Sequence, residues 1–282
     1  MEQKYAIITG ASGGMGVEIT RAVAKAGYSV IMVCYRAEKA EAVRKRLLEE
    51  EGALSLEIML ADLSSMESVH AFVGKVAERG ITVSLLMNNA ATMETGLHLT
   101  SEGWERTVAV NYLAPYLLTR ELLPLMRPGS RIVNMVSCTY VAGRLDYPSF
   151  FSRGRKGSFR RLSVYSNTKL ALLLFTLRLA EELQRQGITV NAADPGVVST
   201  DMITMRRWFD PLTDLFFRPF IRTPKQGAAT AVGLLLDEDV KSVTGKLYAD
   251  CRQKALAAKY GDRTRQDRLW EKTERLLKRW LS

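Results

Sequence analysis

Two hydrophobic periods alternate along most of this chain. Short apolar, β-rich runs at 4–9, 29–34, 54–60, 83–87, 131–136 and 188–193 are separated by longer stretches with helical spacing. Runs of this length bounded by turn residues suit strands buried on both faces, and apolar residues at i, i+3, i+4 and i+7 suit amphipathic helices. The helical stretches are 17–27, 37–51, 65–79, 99–126, 170–183 and 223–236, and 246–249 reads as a final strand. Pro115 falls inside the fourth of these stretches, where it removes a backbone donor and disturbs the ladder. Strands alternating with helices through short links predict an α/β fold, a doubly wound parallel sheet with helices on both faces. No repeat, low-complexity block or linker divides residues 1–282, so a single domain is expected.

Composition narrows the chemistry. The chain is 47% hydrophobic and 25% charged, the balance of an ordinary globular protein. Its three cysteines, Cys34, Cys138 and Cys251, lie far apart without a Cys-x-x-Cys pair, which supports neither a disulfide framework nor a zinc knuckle. Two histidines, His70 and His98, stand in polar contexts and read as surface residues. They are too few for a zinc-dependent dehydrogenase, and no metal site is expected. Ser-His-Asp hydrolysis is equally short of candidates. The formal charge of +10 favours anionic partners, whether cofactor, acidic substrate, lipid headgroup or nucleic acid. The positive clusters at 153–161, at Arg206 and Arg207 and in the last twenty residues carry no nucleic-acid motif. Met1 leads directly into an apolar strand without the zones of a signal peptide, and no run is long enough to span a bilayer, so a cytoplasmic protein is expected.

The candidate chemistry sits where predicted strands end. Gly10-Ala-Ser-Gly-Gly-Met-Gly16 joins the first strand to the first helix. In that context glycines allow close backbone approach, and the helix start offers free N–H groups to phosphate. The same glycines would also serve a plain flexible turn. About twenty residues on, where a carboxylate would grip a ribose 2′-hydroxyl, stand Tyr35 and Arg36. A guanidinium there suits a 2′-phosphate, which favours NADP over NAD; Glu38 lies close by, and Arg36 could equally cap a loop. Asp62, followed by Leu63, either accepts from an adenine amino group or caps the next helix. Asn88-Asn89-Ala90-Ala91 suits a tight turn against a cofactor or an Asx-turn alone. Ser137 ends the fifth strand and faces the same crevice. Tyr165 and Lys169 are four apart and so share one helix face, where an ammonium can favour the ionised form of a phenol.

Thr9-Gly10-x-x-x-Gly14-x-Gly16, Asn88-Asn89-Ala90, Asn111, Ser137, Tyr165-x-x-x-Lys169 and Pro195-Gly196-Val-Val-Ser-Thr200 resemble the short-chain dehydrogenase/reductase family, in its order and over about the first 250 residues. Residues 30–41 and the run Tyr165-Ser-Asn-Thr-Lys-Leu-Ala-Leu-Leu-Leu-Phe are similar to its retinol-dehydrogenase-like branch. The resemblance implies a Rossmann-like fold with a seven-stranded parallel sheet and a nicotinamide cofactor. It further implies Asn111, Ser137, Tyr165 and Lys169 as the catalytic set, with Lys169 lowering the Tyr165 pKa and Asn111 anchoring water in a relay. Cofactor contacts are expected from Gly10, Ser12, Gly13, Gly14, Met15, Gly16, Tyr35, Arg36, Asp62, Leu63, Asn89, Ala90, Ala91, Tyr165, Lys169, Pro195, Gly196, Val198 and Thr200. Where the family has Asn-Asn-Ala-Gly this chain has Ala91, so the backbone there must avoid positive φ.

The substrate side is less conventional. Ser137 and Tyr165 are 28 positions apart, and residues 138–162 hold Tyr140, Tyr147, Phe150, Phe151 and Phe159 beside five arginines and Lys156. A loop of this length reads as a pocket wall. Residues 202–221, rich in Phe, Leu, Met and Trp, match the family's substrate lid and predict a hydrophobic or amphipathic carbonyl or alcohol; flanking arginines make a peripheral membrane contact the rival reading. The run 170–183 is apolar around most of its circumference, so it is buried or faces another subunit, and the family resemblance implies a homodimer. Residues 263–281 read as a basic helical tail packed on the domain. A non-catalytic nucleotide sensor on the same fold is the alternative to an enzyme.

Overall fold

β1 (Tyr5–Thr9) lies inside an eight-stranded sheet and hydrogen-bonds β2 (Ser29–Cys34) on one side and β4 (Val83–Asn88) on the other. The strand order is β3-β2-β1-β4-β5-β6-β7-β8, with β3 at Leu56–Leu60, β5 at Arg131–Met135, β6 at Thr189–Asp194, β7 at Leu247–Ala249 and β8 at Arg252–Lys254. Pairings through β7 are parallel; β8 returns antiparallel along the edge, adding a short exposed strand to the seven expected. The computed structural model describes residues 3–145, 159–198 and 222–281. The predicted lid at 202–221, Thr200 and most of the arginine- and aromatic-rich segment therefore lie outside the described residues.

Helices cover both faces. α1 (Gly14–Lys25), α2 (Ala37–Glu51) and α7 (Pro224–Leu236) bury Val17, Ile19, Leu47, Ala231 and Leu234 against one face. α3 (Met66–Ala77), α5 (Ala114–Leu122), α6 (Arg161–Leu183) and α8 (Arg263–Leu277) cover the other. Every residue of β2 and β6 is buried, Thr189, Asn191 and Asp194 of β6 included, as strands beneath two helical layers must be. The order reverses at β1 and β4, so the chain leaves these strands in opposite directions and opens a crevice beyond their carboxyl ends.

The stretch 99–126 departs most from expectation. Leu99 bridges Glu105 around a turn with Gly103 at φ 82°, and helix begins only with the short α4, Arg106–Val108. A π-helical segment, Ala109–Leu113, follows and gives way to α5, where Pro115 has no N–H to return to the carbonyl four residues earlier. That carbonyl belongs to Asn111. Asp62 is not the cap of α3. Ser65 takes that place by accepting from Ser68 N, while Asp62 Oδ1 closes a turn on the backbone N–H and hydroxyl of Ser64.

α6 is apolar around its circumference because its own chain surrounds it. Leu170 through Phe175 are all buried, with the sheet on one side and α5 and α8 on the other. Trp270 of α8 lies against Phe175 and Tyr116, at ring-centre distances of 5.8 and 5.3 Å. The helix face from which a homodimer was expected is thus occupied by the C-terminal helix.

A candidate active site at the strand ends

A cleft of about 670 Å³ opens at the carboxyl ends of the strands, bounded by the turns after β1 to β6 and by the start of α6. Its phosphate-binding end is built by glycine. Gly10 takes φ 64°, and an added Cβ would meet Ala90 Cα at 3.0 Å. At Gly16 a Cβ would stand 2.1 Å from the Gly10 carbonyl oxygen, so helix α1 can start this close to β1 only without a side chain. Gly13, at the N-cap of α1, brings no side-chain cap, and the first turn carries no acidic residue. The N–H groups and positive dipole end at the start of the helix therefore border the cleft without a side-chain cap or a first-turn carboxylate. That arrangement fits a dinucleotide pyrophosphate.

Asn89 ties the turn after β4 to this loop. Its Nδ2 donates to the carbonyls of Thr9 at 2.9 Å and Gly10 at 3.3 Å, while Thr9 Oγ1 accepts from the backbone N–H groups of Asn89 and Ala90, both at 3.0 Å. Asn89 Oδ1 is buried without a partner within the protein. Ala91 is absent from the described non-glycine residues with positive φ, as its side chain requires. Beneath it, Asn88 Nδ2 donates to Thr119 Oγ1 and to Asn134 Oδ1, and Asn134 Nδ2 donates to Thr176 Oγ1. This buried polar ladder joins β4, β5, α5 and α6 under the cleft.

At the other end stand the reactive groups. Ser137, at the end of β5, caps a 3₁₀ turn, Cys138–Ala142, and its side chain hydrogen-bonds the Tyr165 phenol. Lys169, one turn along α6, is 1% exposed, donates to the Met135 carbonyl at 2.8 Å and lies 5.5 Å from the centre of the Tyr165 ring. Burial pushes the Tyr165 phenol up to about 12, with the Ser137 bond opposing, and pushes Lys169 down to about 7, with Asp194 opposing. Burial by itself thus moves the Tyr165 phenol upward, while the Lys169 amine lies over the face of the ring. Asp194 is itself held above the usual carboxylate range by burial, and its Oδ1 accepts from Gly196 N at 3.0 Å. Gly196 at φ 72° lies under the Arg222 guanidinium, which leaves no room for a Cβ.

Of the expected site residues, all line the cleft except Asn111 and Thr200, the latter outside the described residues. Asn111 is fully buried behind the wall. Its Oδ1 accepts from Thr92 N at 2.7 Å, and its Nδ2 donates to Thr92 O at 2.8 Å and Thr168 Oγ1 at 3.2 Å. Its side chain is committed to shaping the wall.

Sequence reasoning missed Lys39, Thr92, Met93, Arg106 and Arg161, which also line the cleft. Lys39 was legible: three residues beyond Arg36 at the start of a helix, it shares that face. Arg161 was legible in the same way, four residues before Tyr165; its Nε donates to the Met93 carbonyl at 3.1 Å. Thr92 and Met93 carried no signal, since only the fold brings their backbone to α6. Glu38 does not line the cleft.

A family model described as short chain dehydrogenase matches residues 4–208. The chain belongs to this family. It falls in the retinol-dehydrogenase-like branch: human retinol dehydrogenase 13 is 32% identical over 97% of this chain and 84% of its own. Among solved structures, an uncharacterised Mycobacterium paratuberculosis protein superposes with a TM-score of 0.78 at 26% identity, covering 98% of this chain and 94% of the other. A short-chain dehydrogenase from Burkholderia cenocepacia J2315, solved with NADP, gives 0.69 at 27% identity over 88% and 96%. The protein is a dinucleotide-dependent oxidoreductase acting on alcohol or carbonyl groups. Among the described residues no helix is long and apolar enough to cross a membrane.

Proposed function

We propose that this short-chain dehydrogenase uses NADP(H) to interconvert a hydrophobic carbonyl compound and its alcohol, with Tyr165 as the proton-transferring group. The observation that carries the reading is the convergence of Ser137, Tyr165 and Lys169 on one end of a cleft whose other end is an uncapped helix start. The nicotinamide, when bound, supplies or accepts the hydride. Gly13, Gly14 and Met15 would hold the pyrophosphate, and Asn89, Lys169 and the turn at Pro195 and Gly196 would border the nicotinamide half.

The chain's own groups handle the proton. In reduction, Tyr165 donates its hydroxyl proton to the substrate carbonyl oxygen, and Ser137 hydrogen-bonds the same oxygen as negative charge develops. A phenol held near 12 in the protein keeps its proton at neutral pH, the form this direction requires. In oxidation the phenolate is required, and a protonated Lys169 supplies the favourable charge. With Lys169 near 7, its charge state changes within the working range.

NADP is favoured because Arg36 and Lys39 border the cleft on the ribose side while Glu38 does not. An apolar substrate is favoured because Leu162 and Val197, both exposed large apolar side chains, line the cleft with Val136 and Val110. Reduction of all-trans-retinal and of medium-chain aldehydes with NADPH tests the reading. Wild type should turn over, and Tyr165→Phe should lose at least ~100-fold in kcat while still binding NADPH. Full turnover by Tyr165→Phe would sink the assignment.

A further inference from the structure

The inward face of α8 is not a simple apolar stripe. Leu269 and Leu277 are buried on it, but so are Gln266 and Thr273, 3% and 0% exposed. Thr273 meets the π-helical segment, and Gln266 meets the 3₁₀ turn at Ala258–Tyr260. Thr273 hydroxyl donates to Leu269 O at 2.8 Å, which uses its only proton. In the 2.8 Å contact between Thr273 Oγ1 and Tyr112 Oη, Tyr112 must therefore be the donor. Tyr112 is fully buried in the π-helical segment and directly follows Asn111. Gln266 Nε2 donates to the Tyr260 carbonyl at 2.8 Å, and the buried Tyr260 ring meets Tyr140 edge-on with ring centres 5.3 Å apart. Tyr140 belongs to the turn capped by Ser137, whose carbonyl accepts from Tyr140 N at 2.9 Å.

A cover for α5 and α6 would need only Leu269, Trp270 and Leu277. Buried hydroxyl and amide groups at its centre are costly unless paired; the Thr273 hydroxyl and Gln266 Nε2 are paired here, Gln266 Oε1 is not, and the partners are one residue from Asn111 and one ring contact from the Ser137 turn. The π-helical segment gives way to α5 at Pro115, which lacks an N–H to extend the ladder back into it, so an external anchor matters there.

We propose that residues 258–277 are a positioning element of the reaction chamber, holding the Asn111 segment through Tyr112–Thr273 and the Ser137 turn through Tyr140–Tyr260. The catalytic part of this inference rests on the proposed function; the mechanical part does not. In the full-length chain, Thr273→Val removes the acceptor without changing shape, and Tyr260→Leu removes the ring contact. Two readouts are taken: kcat and KM for all-trans-retinal with NADPH, and backbone hydrogen exchange at 109–113 and 138–142.

Thr273→Val is expected to lose protection at 109–113 and Tyr260→Leu at 138–142. Each should lower kcat by about tenfold with KM within about twofold, as expected for misplaced reacting groups. Thr273→Ser and Tyr260→Phe should restore both readouts, and Arg275→Ala, on the exposed face of α8, should change neither. Unchanged exchange in Thr273→Val overturns the proposal, as does unchanged kcat in an active enzyme. If Tyr260→Leu does not fold, Thr273→Val alone decides. If wild type turns over no carbonyl probe, the functional reading falls, and the exchange result still decides the brace.

Discussion

Lys169 Nζ donates to the Met135 carbonyl oxygen at 2.8 Å, so the amine of the Tyr-x-x-x-Lys pair is anchored to the end of β5. The carbonyl fixes its position, and complete burial brings its pKa down to about 7 from 10.5. Between those values the unfolded chain binds a proton that the native protein has released, so this group makes stability rise with pH through that window. Below it the native state bears the full cost of a buried charge. Lys169→Met should therefore abolish turnover yet raise the Tm of the cofactor-free protein by about 5 °C near pH 6, a gain that closes towards pH 10. Calorimetry across pH checks the sign; a gain that grows with pH contradicts it.

Tyr165 has the opposite linkage. Its phenol is pushed up to about 12, so the unfolded chain loses the proton first as pH rises above 10. Wild type should lose stability across that interval, and Tyr165→Phe should lose less. Chemical unfolding at pH values near 9 and 11 measures the difference.

Asn111 holds three hydrogen bonds, two of them to the backbone of Thr92. Asn111→Ala would leave the half-buried backbone groups of Thr92 without their partner, at a cost of about 1–3 kcal/mol in unfolding free energy. Turnover should fall by more than tenfold because the cleft wall at Thr92 and Met93 loses its anchor. Urea unfolding and steady-state kinetics on the same preparation separate the two effects.

Gly16 and Gly14 differ sharply despite sharing one motif. Gly16→Ala places a methyl 2.1 Å from the Gly10 carbonyl oxygen and should cost about 3 kcal/mol or more, with loss of NADPH binding. At Gly14 the added methyl meets only the Pro224 ring at 3.3 Å, so Gly14→Ala should fold with near-native stability. Thermal melts rank the pair.

Arg36 and Lys39 make a prediction about cofactor choice. Arg36→Ala should weaken NADPH by about 10- to 100-fold, the loss of one or two charge-assisted hydrogen bonds, and leave NADH nearly unchanged. Adding Lys39→Ala should lower NADPH affinity further. Isothermal titration with both dinucleotides is the check, and an unchanged preference removes Arg36 from the argument.

Local rules determined much of this protein from its sequence. Short buried apolar runs alternating with helical spacing gave the layered α/β sheet, and the bounds of α2 emerged unchanged at Ala37–Glu51. The glycine turn, Ser137, Tyr165 and Lys169 were legible because each sits at a strand end or on one helix face, where periodicity alone sets direction. Tertiary structure decided the rest. The cover that the apolar girdle of α6 finds within its own chain depended on where the distant C-terminal helix returned, and α8 supplies it by packing Trp270 against Phe175. The sign of the Tyr165 and Lys169 shifts was likewise tertiary. Spacing puts an amine near a phenol, but desolvation depends on everything packed around them, and here it is the largest cause of both shifts. Asn111 shows the same division: sequence placed it in a disturbed helix, and only folding turned its side chain towards Thr92 and away from the cleft.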